Sequence, residues 1–544
     1  MNDLQGLGSV TSNIVSWSPK RHNMRKRNSL RKRKEAPGPA VKPLVFRVDE
    51  STPTVVQSVL LERGWDKFDR QRQGVEDWNL YWRTSPFQMA DHVNLKPWQR
   101  LNHHPGTTTL TRKDCLAKHL ANMRKLYGKT LYQFTPLTFI MPDDYTKFVH
   151  KYFKEKRHLG TKPSYWICKP AELSRGRGII IFSDIQDLVF NGTHVVQKYI
   201  CNPLLVGRYK CDLRIYVCVT GFRPLTIYMY REGLVRFATE KFDLGNLQDC
   251  YSHLTNSSIN KSGASYWKTK DVVGQGCKWT LSRFFSYLRK WDVDDLLLRQ
   301  KINHMVILTV LAGAPSVPIA YNCFELFGFD ILIDENLKPW LLEVNYSPAL
   351  TVDCSIDVSV KRSLVHDIIE LICLNGLRRE ERKGTRASLV RSRMPYARSN
   401  QRKHHTAPGP LSCVSVIQFT NRMCTKNNPA IQRAIDIRPK PTRTSQMREM
   451  MNRREGAKSN SRPRAQHMPH KVLSPYTPLT QSQFCKMKGT LGVFPEPNGH
   501  AGNFDLIFPF NEATFGASRN GLNVRRIIQE LQKLMNKQLS SDKS

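Results

Sequence analysis

The chain has 544 residues and a formal net charge of +39 at pH 7. At roughly 100–200 residues per domain, that length holds several domains or one large composite unit. The charge draws in polyanions by long-range steering (nucleic acid, acidic membranes or acidic protein tails) and disfavours a partner that is itself basic.

In chain order, residues 1–42 form a polar, basic leader containing Arg25-Lys26-Arg27, Arg31 to Lys34 and Pro37-Gly38-Pro39. Such a composition predicts disorder. It shows no signal-peptide pattern, and its basic runs suit nuclear import. From Pro43 the composition turns globular and aromatic, with Trp78, Tyr81 and Trp82 close together. His103–His104, like His404–His405, have no soft ligands near them in sequence and are expected to be ordinary surface pairs. The 13 cysteines include no C-x-x-C and no zinc spacing, which predicts reduced, mostly buried thiols in a soluble intracellular protein.

Tyr165-Trp166-Ile167-Cys168-Lys169-Pro170 reads as a strand ending on lysine. It leads into Ser174-Arg175-Gly176-Arg177-Gly178 and then a strand from Ile179 to Phe182. A Gly-rich basic loop between strands can cover a phosphate, because glycine lets backbone N–H groups approach and arginine neutralises the charge. It is not a Walker A loop, nor a full G-x-G-x-x-G, since residue 181 is Ile. Taken alone, such a loop is more often a plain turn.

Val195 to Ile200 is a buried strand running into Asn202-Pro203, the kind of connector against which a purine base sits. Between Lys210 and Val219, Lys210, Asp212 and Arg214 share one strand face, and Leu213, Ile215, Val217 and Val219 share the other. The polar face would by itself be taken as solvated. Met305 to Ala320 is the most apolar stretch, but it is shorter than the ~20 residues a membrane span needs and contains Pro315 and Pro318.

The strongest local signal runs from Phe324 to Asn345. Two apolar runs flank Asp334-Glu335-Asn336, which predicts an antiparallel hairpin. Centring its turn near Asn336–Leu337 sets Asp330 opposite Glu343, with Asn345 on the face of Glu343. Facing carboxylates repel. A divalent cation removes the conflict, and hard oxygen ligands suit Mg²⁺. The alternative is that one acid pairs with a nearby Lys or Arg.

Residues 386–515 are rich in Arg, Ser, Pro, Asn and Gln and are predicted to be a disordered basic tail. Within 516–544, Val524, Ile527, Ile528, Leu531, Leu534, Met535 and Leu539 recur at helical spacing, predicting an amphipathic helix that docks on the core or on a partner.

Taken together, Lys169, the Arg175 loop, the Gln197–Ile200 connector, the Lys210/Asp212/Arg214 strand and the hairpin resemble the ATP-grasp fold. More closely still, residues 43–385 resemble the tubulin–tyrosine-ligase-like family. The likeness lies in Arg112-Lys113-Asp114, Ile167-Cys168-Lys169-Pro170, Val235-Arg236-Phe237-Ala238-Thr239, His253-Leu254-Thr255-Asn256, Ser258-Ile259-Asn260-Lys261 and Leu342-Glu343-Val344-Asn345 with Ser347-Pro348.

The resemblance implies a mixed α/β ATP-grasp fold with N-terminal, central and C-terminal subdomains. It implies ATP held by Lys169, Arg175, Gly176, Arg177, Gly178, Gln197, Lys198, Tyr199, Ile200, Lys210, Cys211, Asp212, Thr255 and Asn256. It assigns Mg²⁺ to Asp330, Glu343 and Asn345, and free L-glutamate to Arg236, Ser257, Ser258, Lys278 and Lys361. Arg214 and Arg175 would act on the transferring group, with Arg175 also meeting the acceptor tail. Arg175 stands where the family has Arg in enzymes that start a glutamate branch and Gln in those that lengthen one. Ser257 stands where relatives usually carry Tyr, and Tyr346 where His is common.

The activity so implied is tubulin polyglutamylation by a monomeric enzyme acting on the acidic tails of tubulin, with no membrane partner. The implied setting is the cytoplasm, microtubules and the ciliary basal body. The alternatives left open are a glycine- or tyrosine-adding ligase and a catalytically weak microtubule-binding protein. A nucleic-acid binder rests on charge alone, since the tails carry no nucleic-acid-binding motif.

Overall fold

A computed structural model describes residues 42–266, 277–372, 500–519 and 521–541. Residues 1–372 and 480–544 form one compact unit, and residues 373–479 form a second that lies wholly outside the described residues. The leader 1–41 and most of the 386–515 tail also lie outside them.

Three sheets organise the first unit. The N-terminal sheet holds four short parallel strands, β1 (Val45–Val48), β2 (Asp66–Lys67), β3 (Leu80–Trp82) and β4 (Arg100–Leu101), in the order β2-β1-β3-β4. The central sheet is antiparallel, with β5 (Thr138–Met141), β6 (Trp166–Pro170), β7 (Ile180–Phe182) and β8 (His194–Lys198) ordered β5-β8-β6-β7.

The third and largest sheet contains β9 (Leu205–Val206), β10 (Tyr209–Phe222), β11 (Leu225–Phe237), β12 (Lys278–Thr280), β13 (Glu325–Ile333), β14 (Pro339–Tyr346), β15 (His500–Ala501) and β16 (Phe504–Phe508). Its main path is β14-β13-β10-β11-β16-β15, with β12 also paired to β11 and β9 to β10. The expected mixed α/β plan of three subdomains is met by these three sheets.

The helices are α1 (Thr54–Glu62), α2 (Met89–Val93), α3 (Lys113–Tyr127), α4 (Tyr145–Leu159), α5 (Cys250–His253), α6 (Ser257–Asn260), α7 (Leu281–Arg289), α8 (Asp295–Gly313), α9 (Ser355–Leu371), α10 (Glu512–Arg519) and α11 (Val524–Ser541). Helix α4 covers the central sheet, where Phe148 and Tyr152 pack with Phe139, Trp166 and Phe182. Helix α8 absorbs the apolar stretch noted above. Met305 to Gly313 are buried all round, against α3, α7, β14 and β16, and Asp294 caps its first turn by accepting from the N–H groups of Leu296 and Leu297. A helix apolar on every side belongs inside a core. Among the described residues, no helix is long and apolar enough to cross a membrane.

Two expectations need correction. Residues 500–515 were predicted to be disordered tail, yet β16 pairs with β11, setting Tyr228 opposite Leu506 and Tyr230 opposite Phe504. Phe504, Ile507 and Phe508 are buried, and Arg231 binds the Asp505 carboxylate with both Nε and Nη2. The polar sequence upstream concealed one short apolar run, which gains by adding its backbone donors and acceptors to an open sheet edge. The predicted helix is α11, and it docks on the core: Ile527, Ile528 and Leu531 are buried, with α10 as its main contact.

The second correction concerns His103 and His104, which are 2% and 3% exposed. His103 Nδ1 lies 2.6 Å from Oε1 of the fully buried Glu325, whose Oε2 accepts from the His104 N–H and the Thr107 hydroxyl. The carboxylate that satisfies this histidine is 222 positions away in sequence, so no local pattern could reveal it.

Candidate active site

A cavity of about 90 Å³ opens between the central and largest sheets. It is lined by Lys169 of β6, Arg175 to Arg177 of the β6–β7 loop, Gln197 of β8, Tyr199 and Ile200 just beyond it, and Lys210 and Asp212 of β10. Arg236 of β11, Asp330 and Leu332 of β13, Leu342 and Glu343 of β14, and Thr255 and Asn256 before α6 complete it. Residues as far apart in sequence as Lys113 and Glu343 therefore meet where strands from two sheets end at one cleft.

The loop owes its path to glycine and to α6. Arg175, Gly176 and Gly178 all have positive φ (62°, 78° and 69°), the left-handed region that glycine enters without penalty. A Cβ on Gly176 would collide with Ile259 and one on Gly178 would stand 2.9 Å from Pro170 Cγ, so the loop is packed tightly on both sides. Ser258, expected among the glutamate ligands, is exposed and donates its hydroxyl hydrogen bond to the carbonyl of Arg175. Ser257 lies beside it on α6, and neither serine lines the cavity.

The alternating face of β10 is not solvated. Lys210, Asp212 and Arg214 are 7%, 3% and 8% exposed. Cys211 points to the opposite face near the Leu204 carbonyl and does not line the cavity, as alternation along a strand requires. Lys210 donates to the Tyr199 hydroxyl and to the His253 carbonyl, both at 2.9 Å. Burial lowers its pKa to about 7, and burial likewise lowers that of Lys169 to about 8. Lys169 donates to Gln197 Oε1 at 3.2 Å. Lys198 is paired with Glu155 on the rim.

The hairpin register carries a detail that turn position alone does not give. Ile333 pairs with Pro339 and Ile331 with Leu341, but Asp330 pairs with Glu343. Leu342 is the extra residue of a bulge, and without it Asp330 would face leucine. Both oxygens of Asp330 are engaged: Oδ1 accepts from Arg214 Nε at 2.6 Å, and Oδ2 pairs with Arg236 Nη2 at 2.8 Å. Burial opposes ionisation of Asp330, but Arg214 and then Arg236 outweigh it and hold the carboxyl well below the usual range. Arg236 also binds Asp212 through two nitrogens. Glu343 has weaker support, with Lys113 Nζ at 3.8 Å, and burial followed by the charge of Asp330 pushes its carboxyl up.

The residues fit a divalent cation. Glu343, next to the ionised Asp330, has its counter-charge, Lys113, no nearer than 3.8 Å, and both carboxylates offer hard oxygens. Asn345 donates to the Gly328 carbonyl and does not line the cavity, so its place is one step along the strand from the pair. The lining has the chemistry a nucleotide calls for: Lys113, Lys169, Lys210 and the loop arginines stand beside apolar walls of Ile167, Ile179, Leu332 and Leu342.

Lys278 and Lys361, assigned with Arg236 to glutamate, stand in an adjoining cluster. Lys278 on β12 is in register opposite Arg236 on β11. Both lysines bind Asp357 of α9, at 2.6 and 2.9 Å. Sequence reasoning missed Asp357, although its spacing of four from Lys361 on a helix was a usable signal. It also left Lys113 without a role.

Residues 91–381 match the family model described as the tubulin-tyrosine ligase family. The chain is 71% identical over 547 residues to the mouse (Mus musculus) protein called probable tubulin polyglutamylase TTLL2, covering 99% of this chain and 100% of that one. It is 65% identical over 527 residues to the human (Homo sapiens) protein of the same name, covering 95% and 89%. With mouse tubulin polyglutamylase TTLL5 it shares 34% identity over 365 residues, 64% of this chain and 27% of that one.

Proposed function

Because the chain belongs to the tubulin-tyrosine ligase family and is a ligase of that family, we propose that it joins free L-glutamate to a glutamate side chain in the acidic C-terminal tail of tubulin, using Mg-ATP. The observation that carries this reading is the register of Lys278 opposite Arg236, whose guanidinium in turn contacts Asp330. This cationic cluster, one strand from the cavity, supports a role in holding the incoming amino acid. Glutamate brings two carboxylates and needs such a pocket, whereas glycine brings one.

The chemistry asks for positioning and charge neutralisation rather than an enzyme nucleophile. The acceptor's side-chain carboxylate takes the γ-phosphoryl group of ATP, releasing ADP, and becomes an acyl phosphate. The amine of free glutamate attacks that carbonyl, phosphate leaves, and an isopeptide bond remains. Lys169, Lys210 and the Arg175–Gly178 loop would hold the phosphates. Asp330 and Glu343, with Asn345 beside them, would hold Mg²⁺, which supplies neutralisation of phosphate charge. Arg214, fixed by Asp330, would steady the transferring group.

Arg175 supports a preference for starting branches. It is exposed at the cavity mouth, and its backbone is fastened by Ser258, which leaves the guanidinium to meet a carboxylate of the acceptor's main chain tail. A tubulin acceptor would put the protein at cytoplasmic microtubules, ciliary basal bodies included. The deciding experiment incubates the chain with tubulin, Mg-ATP and each labelled amino acid, followed by mass spectrometry of the tails. Single glutamate branches are expected. Incorporation of glycine or tyrosine without glutamate overturns the proposal.

A further inference from the structure

We propose that Asp357 is the positioning residue of the amino-acid pocket, its buried carboxylate holding the ammonium groups of Lys278 and Lys361 together so that the cluster keeps one surplus positive charge for one carboxylate of the incoming amino acid. This role rests on the glutamate-ligase reading above.

Asp357 sits in the first turn of α9 and is 0% exposed. Its Oδ2 accepts from Lys278 Nζ at 2.6 Å, and its Oδ1 stands 2.9 Å from Lys361 Nζ. The Asp353 N–H also donates to Oδ2, at 3.1 Å, which ties the segment leading into α9 to the same carboxylate. Lys361 donates further to the Thr351 carbonyl. Three pieces of chain therefore converge on one side chain: strand β12, the 351–354 segment and the helix.

The charges around it can be followed one by one. Lys278 and Lys361 are 4% and 4% exposed. Two ammonium groups buried side by side without a counter-ion repel each other, and desolvation drives one of them to lose its proton. One carboxylate between them offsets their repulsion, and with both lysines charged the trio carries +1. On the rim, Lys261 pairs with Asp353 at 2.8 Å and adds nothing to the balance. Arg236, opposite Lys278, is bound on both sides by Asp212 and Asp330 and so is fixed in place rather than free to swing. Each ammonium has three donors; Lys278 gives one to Asp357, and Lys361 is held by Asp357 and the Thr351 carbonyl, so each retains at least one N–H for a ligand. A surplus of +1 with donors to spare accepts a carboxylate, and Arg236 stands next to it for the second carboxylate of glutamate. Without Asp357 the lysines would still be present, but their charge and separation would not be set.

The experiment uses the full chain with tubulin and measures KM for L-glutamate and for ATP separately. Asp357→Asn is expected to raise KM for glutamate at least tenfold while KM for ATP stays within twofold. D357N/K361Q is expected to raise it by less than the product of the two single-variant effects, because the two changes disturb one shared arrangement. If the Asn variant does not fold, Asp357→Glu keeps the charge but spreads the lysines, and a three- to tenfold rise in KM for glutamate is expected. An unchanged KM for glutamate, with only kcat or thermal midpoint lowered, makes Asp357 a structural residue of the helix start and overturns the inference. If the unaltered chain ligates no glutamate at all, the proposed function itself fails and this role falls with it.

Discussion

Asp330 and Glu343 face each other across the β13–β14 hairpin, yet only Asp330 is held by guanidinium groups. The two carboxylates are therefore opposite in their energetics. Glu343, with its carboxyl pushed up by burial and by Asp330, is strained when ionised, so Glu343→Gln should abolish ligation yet leave the protein as stable or more stable at neutral pH. The sign follows from linkage: a carboxyl with a raised folded pKa loses stability as pH rises through it, and Gln removes that loss. Asp330→Asn should also abolish ligation but destabilise by about 3–5 kcal/mol, since it leaves Arg214 and Arg236 buried without their partner. Thermal unfolding of both variants in a chelating buffer, beside a ligation assay, checks the contrast; equal midpoints would refute it.

Lys210 is expected to make nucleotide binding depend on pH. Its burial lowers the pKa to about 7, and a phosphate beside it favours the charged form. ATP binding should then take up a proton and weaken as pH rises from 7 to 9, while Lys210→Met weakens binding by tenfold or more and flattens that slope. Calorimetric titration in two buffers of different ionisation enthalpy measures the proton uptake directly.

The C-terminal segment should prove to be a structural part of the ligase domain. Phe504 is fully buried where β16 meets β11, so Phe504→Ala should cost about 3–5 kcal/mol by cavity formation. Deleting residues 500–544 bares the β11 edge and the apolar surface beneath α11, and soluble yield should collapse. Denaturant unfolding of the point variant and gel filtration of the truncated chain give the readouts. A truncated chain that stays soluble and folded would show the segment to be dispensable.

His104 should set part of the acid sensitivity. It is buried against Phe222, neither ring nitrogen has a hydrogen-bond partner among the described residues, and burial lowers its pKa to about 3. The unfolded chain protonates this histidine near its ordinary value of about 6.5, whereas the folded chain does not. The stability it contributes is full above that value and falls as pH drops below it. His104→Phe should match or exceed the parent at pH 7 and lose less thermal stability between pH 7 and 5. Identical pH profiles would assign the acid sensitivity to other groups.

What the sequence determined by itself was local and periodic. Alternation along Lys210 to Val219 set one polar and one apolar face, and the turn at Asp334–Asn336 placed two acidic strands side by side. Helical spacing placed Ile527, Ile528 and Leu531 on one stripe, because periods of 2 and 3.6 are properties of the backbone and need no distant partner. What the tertiary structure decided was every pairing across the chain. The bulge at Leu342, the Glu325 partner that buries His103, the strand that residues 504–508 add to β11, and the Asp357 carboxylate between Lys278 and Lys361 all join residues that local pattern treats separately. The desolvated charges of the site follow the same division. Sequence supplies the ionisable group, but only its neighbours in space decide whether the group is solvated, paired or strained.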